Sequence, residues 1–541
     1  MVELLYSDKD IYEVYFNDLT QERLHPKWID SKSQIICNFG KVLSKQSNGF
    51  TNGANHVKSQ HQQDYPTVMQ SHLQHKLDGQ TSILSFISVP DKAKNMYAWL
   101  DWVVMDNHPF NFVEKKRVRK NVILTPICTS TLLKYLRLVT KAVEDVVKLK
   151  LPDKFGLIID GWTENSVHFC VLFACVPGTC DRIMLSFSPL LNPTSQSAVA
   201  HSDWIVSILH LYDKDLSHLL FLCSDNTNSM PALSILLGCP FIGCHSHRLA
   251  LYVRKYLNCD KADSEHIINK LKVLMQQLRS ANKASALLME IQLKPITSNA
   301  TRWSSIYNMI RRYNQIKDFI DTNDRDLTPY LLSPADNLRL IDYENELKSV
   351  DDITIALQGA DSNLEDARIQ LDGAMQLNLM KDQIARTDSN GNRIITTYGQ
   401  WDIKYLKTGC SIAHNPDFES GIVKILRKEE AALTIPELDA IESLKNNNNH
   451  AEARVIFEDT GNYAQNLRNV AKRSKLSKAT YIDLRFIPST SVVAERAFST
   501  SGLVYNELRQ ALTPYHLECV LILKHNHLFW NELIVAQVFV E

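Results

Sequence analysis

Between residues 154 and 258 the apolar positions change rhythm in a regular order. Short runs that are apolar on both faces predict buried strands: Phe155–Ile159, the longer Val167–Val176, and Leu219–Cys223. Arg182–Ser188 and Phe241–Cys244 add two more. Between and after them the spacing lengthens to that of helices, over Ser195–Leu211, with Trp204, Ile205, Ile208 and Leu211 on one side, then Thr227–Leu237 and His245–Tyr256. The predicted order is β-β-β-α-β-α-β-α. Three sequential strands make a meander, and helical crossovers suit parallel pairing of the later strands. In such a mixed sheet the first and fourth strands can lie side by side and parallel.

The rest of the chain reads as mostly helical. Ser130–Val147 carries an apolar stripe at Leu132, Leu133, Leu136, Val139 and Val143. Residues 80–150 are therefore either a support layer for the sheet or a separate helical DNA-binding unit. From 259 to 480 further stripes appear, at Ile267, Leu271, Leu274 and Leu278, and again at Ile306, Ile310, Tyr313, Ile316 and Ile320. Thr387–Arg393 and Lys445–His450 are loops by composition. Near the end, Ser489–Ser501 predicts a helix of small residues stopped by Gly502. Thr513-Pro514 then opens a helix over Tyr515–Trp530. Its apolar residues, among them Leu517, Val520, Leu521 and Leu528, cover more than one face, which predicts burial in a core or sharing with a second copy.

Composition narrows the class. A chain of 541 residues exceeds one core, and 45% hydrophobic with 22% charged residues is ordinary for globular domains. The formal net charge of -1 gives no global pull toward nucleic acid, so any basic surface is local, as at Lys115–Lys120 or between Arg468 and Lys478. Eleven scattered cysteines, several inside apolar runs, predict free thiols in a reducing compartment. No apolar stretch is long enough to span a bilayer, so a soluble intracellular protein without a membrane partner is expected.

Two acidic residues stand out. Asp160 follows a buried strand in Phe155–Thr163, and Asp225 follows the fourth strand in Ser224-Asp225. A buried carboxylate needs a partner. In the sheet order above, both fall together at the carboxyl ends of neighbouring strands. Two such aspartates with a third carboxylate suit a divalent metal, since Mg²⁺ takes hard oxygen ligands and supports phosphodiester chemistry in pairs about 4 Å apart. Near the N-terminus, Cys37, His56 and His61 resemble part of a zinc module. Three ligands do not close a four-coordinate structural Zn²⁺ site, which predicts poor zinc binding.

Several motifs together resemble the hAT superfamily of DNA transposases. Trp99-Leu100-Asp101-Trp102 with Phe112-Val113-Glu114 resembles the helical segment preceding its catalytic domain. Asp160-Gly161-Trp162-Thr163 and Ser224-Asp225-Asn226 resemble its first two acidic motifs, and Ala494-Glu495-Arg496-Ala497-Phe498-Ser499 the third. Cys244 and His247 match its C-x-x-H signature, and Thr301-Arg302-Trp303-Ser304 its tryptophan motif. Arg509, Leu512 and Pro514 continue its C-terminal dimerisation segment. The Cys37, His56 and His61 group is similar to a BED-type finger that lacks one cysteine.

The resemblance implies an α/β plus all-α chain: an RNase H-like mixed sheet interrupted by a large helical insertion, behind a small finger-like module. The expected divisions are a finger-like module at 1–75, helical support at 80–150, the first part of the catalytic domain at 151–260, the insertion at 261–480, and the sheet's end with the dimerisation segment at 481–541. It implies catalysis by Asp160, Asp225 and Glu495 holding Mg²⁺ or Mn²⁺, DNA contact by Arg302 and Trp303, and a structural role for Cys244 and His247. Leu517, Val520, Leu521 and Leu528 would serve self-association into at least a dimer. The partners are transposon ends and target DNA in the nucleus. A second reading is a transposase-derived nuclear protein that binds DNA and dimerises without catalysis.

Overall fold

The computed structural model describes residues 89–164, 166–259, 263–298, 303–359, 362–377, 404–446, 480–505 and 512–539, and the backbone of short strands at 16–17, 34–37, 42–44, 384–387 and 393–396. They group into two compact units. One holds the described residues up to Val143 and those from His527 onward; the other runs Glu144–Asn526.

In the first unit, helix α1 (Asp91–Met105) buries Trp99, Leu100, Val103 and Val104 along one face. The Trp99 Nε1–H donates to the Thr125 carbonyl at 2.9 Å, so the indole is buried without losing its hydrogen bond. Trp102 stacks on Trp99 and meets Phe112 edge-on, with ring centroids 5.9 and 4.8 Å apart. The short helix α2 (Lys116–Asn121) carries the basic run and buries none of its side chains. Arg119 is spent locally, donating to the carbonyls of Val113 and Ile127. Helix α3 spans Thr129–Lys150.

The second unit is built on five strands: β1 (Phe155–Glu164), β2 (Val167–Cys175), β3 (Arg182–Pro189), β4 (Leu219–Ser224) and β5 (Phe241–Gly243). Their order is β3-β2-β1-β4-β5. β1, β2 and β3 form the antiparallel meander, while β4 pairs parallel with both β1 and β5. This is a mixed α/β sheet consistent with an RNase H-like core. Helix α4 (Ala198–Leu211) leads from β3 to β4, α5 (Ser229–Leu237) from β4 to β5, and α6 (His245–Cys259) leaves the sheet after β5. Ser197 caps α4, accepting from the Ala200 amide.

β1 departs from expectation in length. It does not stop at Ile159 but continues to Glu164, because β2 keeps pairing with it through Glu164↔Val167. Burial changes character within it: residues 155–159 are all buried, and from Asp160 onward exposed and half-buried positions alternate. The aspartate thus marks where cover is lost on one side, not where the strand ends.

Beyond α6 the described residues are first helical: α7 (Asp263–Gln277), α8 (Ala281–Glu290), α9 (Trp303–Ile316), α10 (Pro334–Leu357) and α11 (Leu364–Ala374). Leu249 and Val253 of α6 share one apolar core with Leu271, Leu274, Trp303, Ile310, Leu347 and Leu371. The shorter α12 (Pro416–Leu426) and α13 (Ile435–Ala440) follow. None of the described helices is long and apolar enough to cross a membrane.

Helix α14 (Val492–Val504) runs straight through Gly502. A glycine stops a helix where the backbone turns left-handed. Here burial of Val504 rewards one more turn, and the helix closes at Tyr505, whose amide donates to Ser501. Helix α15 (Pro514–His525) is shorter than expected, with a 3₁₀ turn at His527–Phe529 after it. Its surplus of apolar faces is absorbed inside the chain: Leu517 and Cys519–Leu523 are buried, and Glu518 among them serves the edge strand β3.

That service is specific. Asn526 Oδ1 accepts from the Met184 amide at 3.0 Å, and its Nδ2 donates to the Met184 carbonyl at 2.8 Å. Glu518 Oε1 accepts from the Ser186 hydroxyl at 2.6 Å and the Phe187 amide at 3.1 Å. An edge strand otherwise presents unpaired backbone groups. Replacing Asn526 with Ala leaves two buried backbone groups of Met184 without partners, which costs about 2–4 kcal/mol. A clear fall in the midpoint of chemical unfolding is expected; an unchanged midpoint would show that water replaces the amide.

Candidate functional site

The register of β1 against β4 positions the two aspartates. Ile158 is opposite Cys223 in the parallel pair. Asp160 and Asp225 each lie two residues further along their chains, so they are level at the carboxyl end of the parallel half. Both are half-buried. Each carboxylate is oriented by its own turn. Asp160 Oδ1 accepts from the Gly161 amide at 2.8 Å. Asp225 Oδ1 accepts from the Thr227 hydroxyl at 2.8 Å and its amide at 3.2 Å.

Glu495 enters on α14. Phe498, one turn further along that helix, stacks on Trp162 with centroids 6.0 Å apart and meets Phe187 at 6.0 Å. Trp162 shares a strand face with Asp160, since side chains alternate. The helix face bearing Glu495 and Phe498 therefore lies over the strand face bearing Asp160 and Trp162. The start of α14 is tied to the other side of the site. Cys244, buried at the end of β5, lies in hydrogen-bond contact with Ser491. The His245 amide and its Nδ1–H both donate to the Ser489 carbonyl, at 3.0 and 2.9 Å.

His247 connects the acids. Its Nδ1 accepts from the Asn226 amide at 3.1 Å, so in the neutral ring the proton sits on Nε2. Burial lowers its pKa, while the Asp225 and Glu495 carboxylates, both close enough to act on the ring, pull it back up. Asn226 also donates from Nδ2 to the Cys244 carbonyl at 3.1 Å. Gly243 lets it come so close: a Cβ there would lie 1.9 Å from Asn226 Oδ1.

Behind this turn sits a buried ion pair that sequence reading missed. Arg248 donates from Nη1 to Glu419 Oε2 at 2.9 Å and from Nη2 to Oε1. Burial by itself would raise the Glu419 carboxyl, but Arg248 and His245 hold it below its usual range. Nothing in the sequence links α6 to α12, 171 positions away. The H-S-H-R string beside Cys244 was the one local sign.

Beside Asp225 opens a cavity of ≈ 370 Å³, lined by Asn226, Thr227 and Asn228 on one side and Lys404, Tyr405 and His414 on another. The donor set of Asp160, Asp225 and Glu495 is all hard oxygen, which fits Mg²⁺ or Mn²⁺. The three carboxylates do not converge to the spacing of one ion's shell, where ligand atoms lie within 4.8 Å of one another.

Comparison with known families bears on a segment near the C-terminus. Residues 456–527 match the hAT family C-terminal dimerisation region. No curated protein matches the chain. The dimerisation region takes in both α14, with Glu495, and α15. Of the residues expected to serve self-association, Leu517, Val520 and Leu521 of the dimerisation region are buried inside this chain at 0%, 3% and 0% exposure, and Leu528, just beyond it, is 72% exposed. Replacing Leu521 would therefore act first on this chain's own core.

Trp303 differs from expectation in a similar way. It is 4% exposed and belongs to the helical core, with Tyr307 one turn on. Its stripe, continued at Ile310, buries the indole, so the ring does not offer a face for stacking on a base. Arg302, His56, His61 and Arg509 lie outside the described residues, and of Cys37 only the strand backbone is described.

Protonation of the turn gives a measurable consequence. Burial pushes His245 down from 6.5 to about 4. A histidine whose folded pKa is lowered keeps the native state proton-poor, so stability is full above about 6.5 and falls as pH drops toward 4. The shift corresponds to a few kcal/mol at most, on the order of 3. His245→Gln is expected to flatten the fall in melting temperature across that window. An equally steep fall in the variant would assign the acid sensitivity elsewhere.

Proposed function

We propose that this chain is a hAT-type DNA transposase that cuts DNA with Mg²⁺ or Mn²⁺ and joins the ends to a target in the nucleus, working as a homodimer or larger assembly. The observation that carries the reading is the register of β1 with β4, which puts Asp160, on β1, and Asp225, just past the end of β4, two residues beyond the Ile158–Cys223 pair, on the sheet face over which the helix face of Glu495 lies. The match of residues 456–527 to the dimerisation region supports the family and the self-association. Bound divalent metal would activate the attacking hydroxyl and stabilise the leaving oxygen of the phosphodiester.

The chain's own residues supply the positioning. The Gly161 amide and Thr227 fix the Asp160 and Asp225 carboxylates before any ion arrives, so less ordering remains on binding. His247, kept neutral by burial, faces Asp225 and Glu495 without adding a competing cation. The cavity beside Asp225 gives a strand room to approach, with Lys404 on its wall to meet a phosphate. The exposed Lys115, Lys116, Arg117 and Lys120 around α2 add a second basic surface for backbone contact.

One observation favours the second reading, a DNA-binding and dimerising protein without cleavage: the family match is confined to the dimerisation region. A plasmid-nicking assay separates the two. The purified chain is expected to nick supercoiled DNA only with Mg²⁺ or Mn²⁺. Glu495→Gln should retain the fold and DNA binding, with cleavage reduced by at least about 10²-fold. A wild-type rate in Glu495→Gln would remove Glu495 from the site, and DNA binding with no nicking by the wild type would favour the second reading.

A further inference from the structure

On the other face of the sheet, three side chains that the carboxylate site does not use come together. His168 and Cys170 lie on β2, two residues apart and so on one face, and His201 lies in the first turn of α4. One ligand atom from each falls within 4.8 Å of the others, and among the described residues this is the one such group of three. Cys170 and His201 are buried at 0% and 5% exposure, and His168 is half-buried.

The face is fixed by pairing. Cys170 is opposite Gly161 and His168 opposite Thr163, whereas Asp160 is opposite Val171 and Trp162 opposite Phe169. Cross-strand partners share a face. The His-Cys-His group therefore occupies the α4 side, where Trp204 also donates to Ser188. Glu495 and Phe498 belong to the opposite side.

Both imidazoles are already set for coordination. His201 Nδ1–H donates to the Ser197 carbonyl at 2.9 Å, which leaves Nε2 as the ligand atom. His168 Nδ1 is engaged with the Thr163 hydroxyl at 2.9 Å, which leaves its Nε2 as well. Metal-bound histidines are held in this way by a hydrogen bond on the second nitrogen. Room for the His168 ring depends on Gly161, where a Cβ would lie 2.8 Å from Cε1 and 3.0 Å from Nε2.

We propose that His168, Cys170 and His201 bind a zinc-class transition-metal cation that clamps the first turn of α4 to β2, behind the carboxylate site. One thiolate and two imidazoles suit Zn²⁺, with Zn–S about 2.3 Å and Zn–N about 2.0–2.1 Å, and not the hard cation that carboxylates prefer. Unlike the N-terminal group, these three ligand atoms are already gathered within one ion's reach, and the fourth position is left open to water, as in zinc sites with three protein ligands. On binding, the thiol proton of Cys170 passes to solvent and the sulfur becomes the anionic ligand.

The test uses Co²⁺ as a spectroscopic stand-in on the full chain. A thiolate ligand gives a sulfur-to-cobalt charge-transfer band that carboxylate sites do not. Cys37→Ser, which removes the N-terminal thiol, is expected to keep this band at one equivalent, and Cys170→Ser to lose it. Thr163→Ala, at an exposed position, should weaken cobalt binding by about 10–100-fold with the fold intact. The proposal is overturned if folded Cys37→Ser shows no thiolate band, if Cys170→Ser retains it, or if Thr163→Ala binds cobalt as tightly as the wild type.

Discussion

The hinge of this structure is the turn Cys244–Arg248, where β5 passes into α6. Within it, His245 holds the Ser489 carbonyl through both its amide and its ring, across 244 positions of sequence. Cys244 contacts Ser491, His247 holds the Asn226 amide, and Arg248 is locked to Glu419. One short segment thus fixes the loop after β4, the segment entering α14 and the helix α12. A carboxylate on α14 can face carboxylates on β1 and just after β4 only if that segment returns to one place after the long helical excursion. The two residues of the C-x-x-H motif, the buried Cys244 and the half-buried His247, are held at this turn by contacts with Ser491 and Asn226.

Packing and chemistry divide the sheet between its two faces. On one side Trp162, Phe169, Phe187 and Phe498 form an aromatic layer that presses α14 onto β1 and β2. On the other, α4 covers His168, Cys170 and Ser188. Gly161 serves both: its amide orients Asp160, and its missing Cβ admits the His168 ring. A substitution there would disturb two sites from one position.

Much of the sheet could be read from the chain because burial on both faces leaves uninterrupted apolar runs, and meander and crossover rules then restrict the strand order. Asp160 and Asp225 stand out for the same reason, as charges at the edge of such runs. What could not be read depends on long-range partners. The Arg248–Glu419 pair, the Asn526 clasp on Met184 and the meeting of His168 with His201 have no local periodicity. Gly502 does not end α14, because burial of Val504 outweighs a weak stop signal. The apolar excess of α15 looked like an intermolecular face, yet most of it is used against β3 and the core beneath it.

The central claim is that Asp160, Asp225 and Glu495 share divalent metal. Anomalous diffraction from crystals soaked in Mn²⁺ tests it most directly. The account predicts one or two peaks among these three carboxylates, about 4 Å apart if two ions bind. Peaks elsewhere only, or a Glu495 side chain turned away from an ion held by the two aspartates, would contradict it.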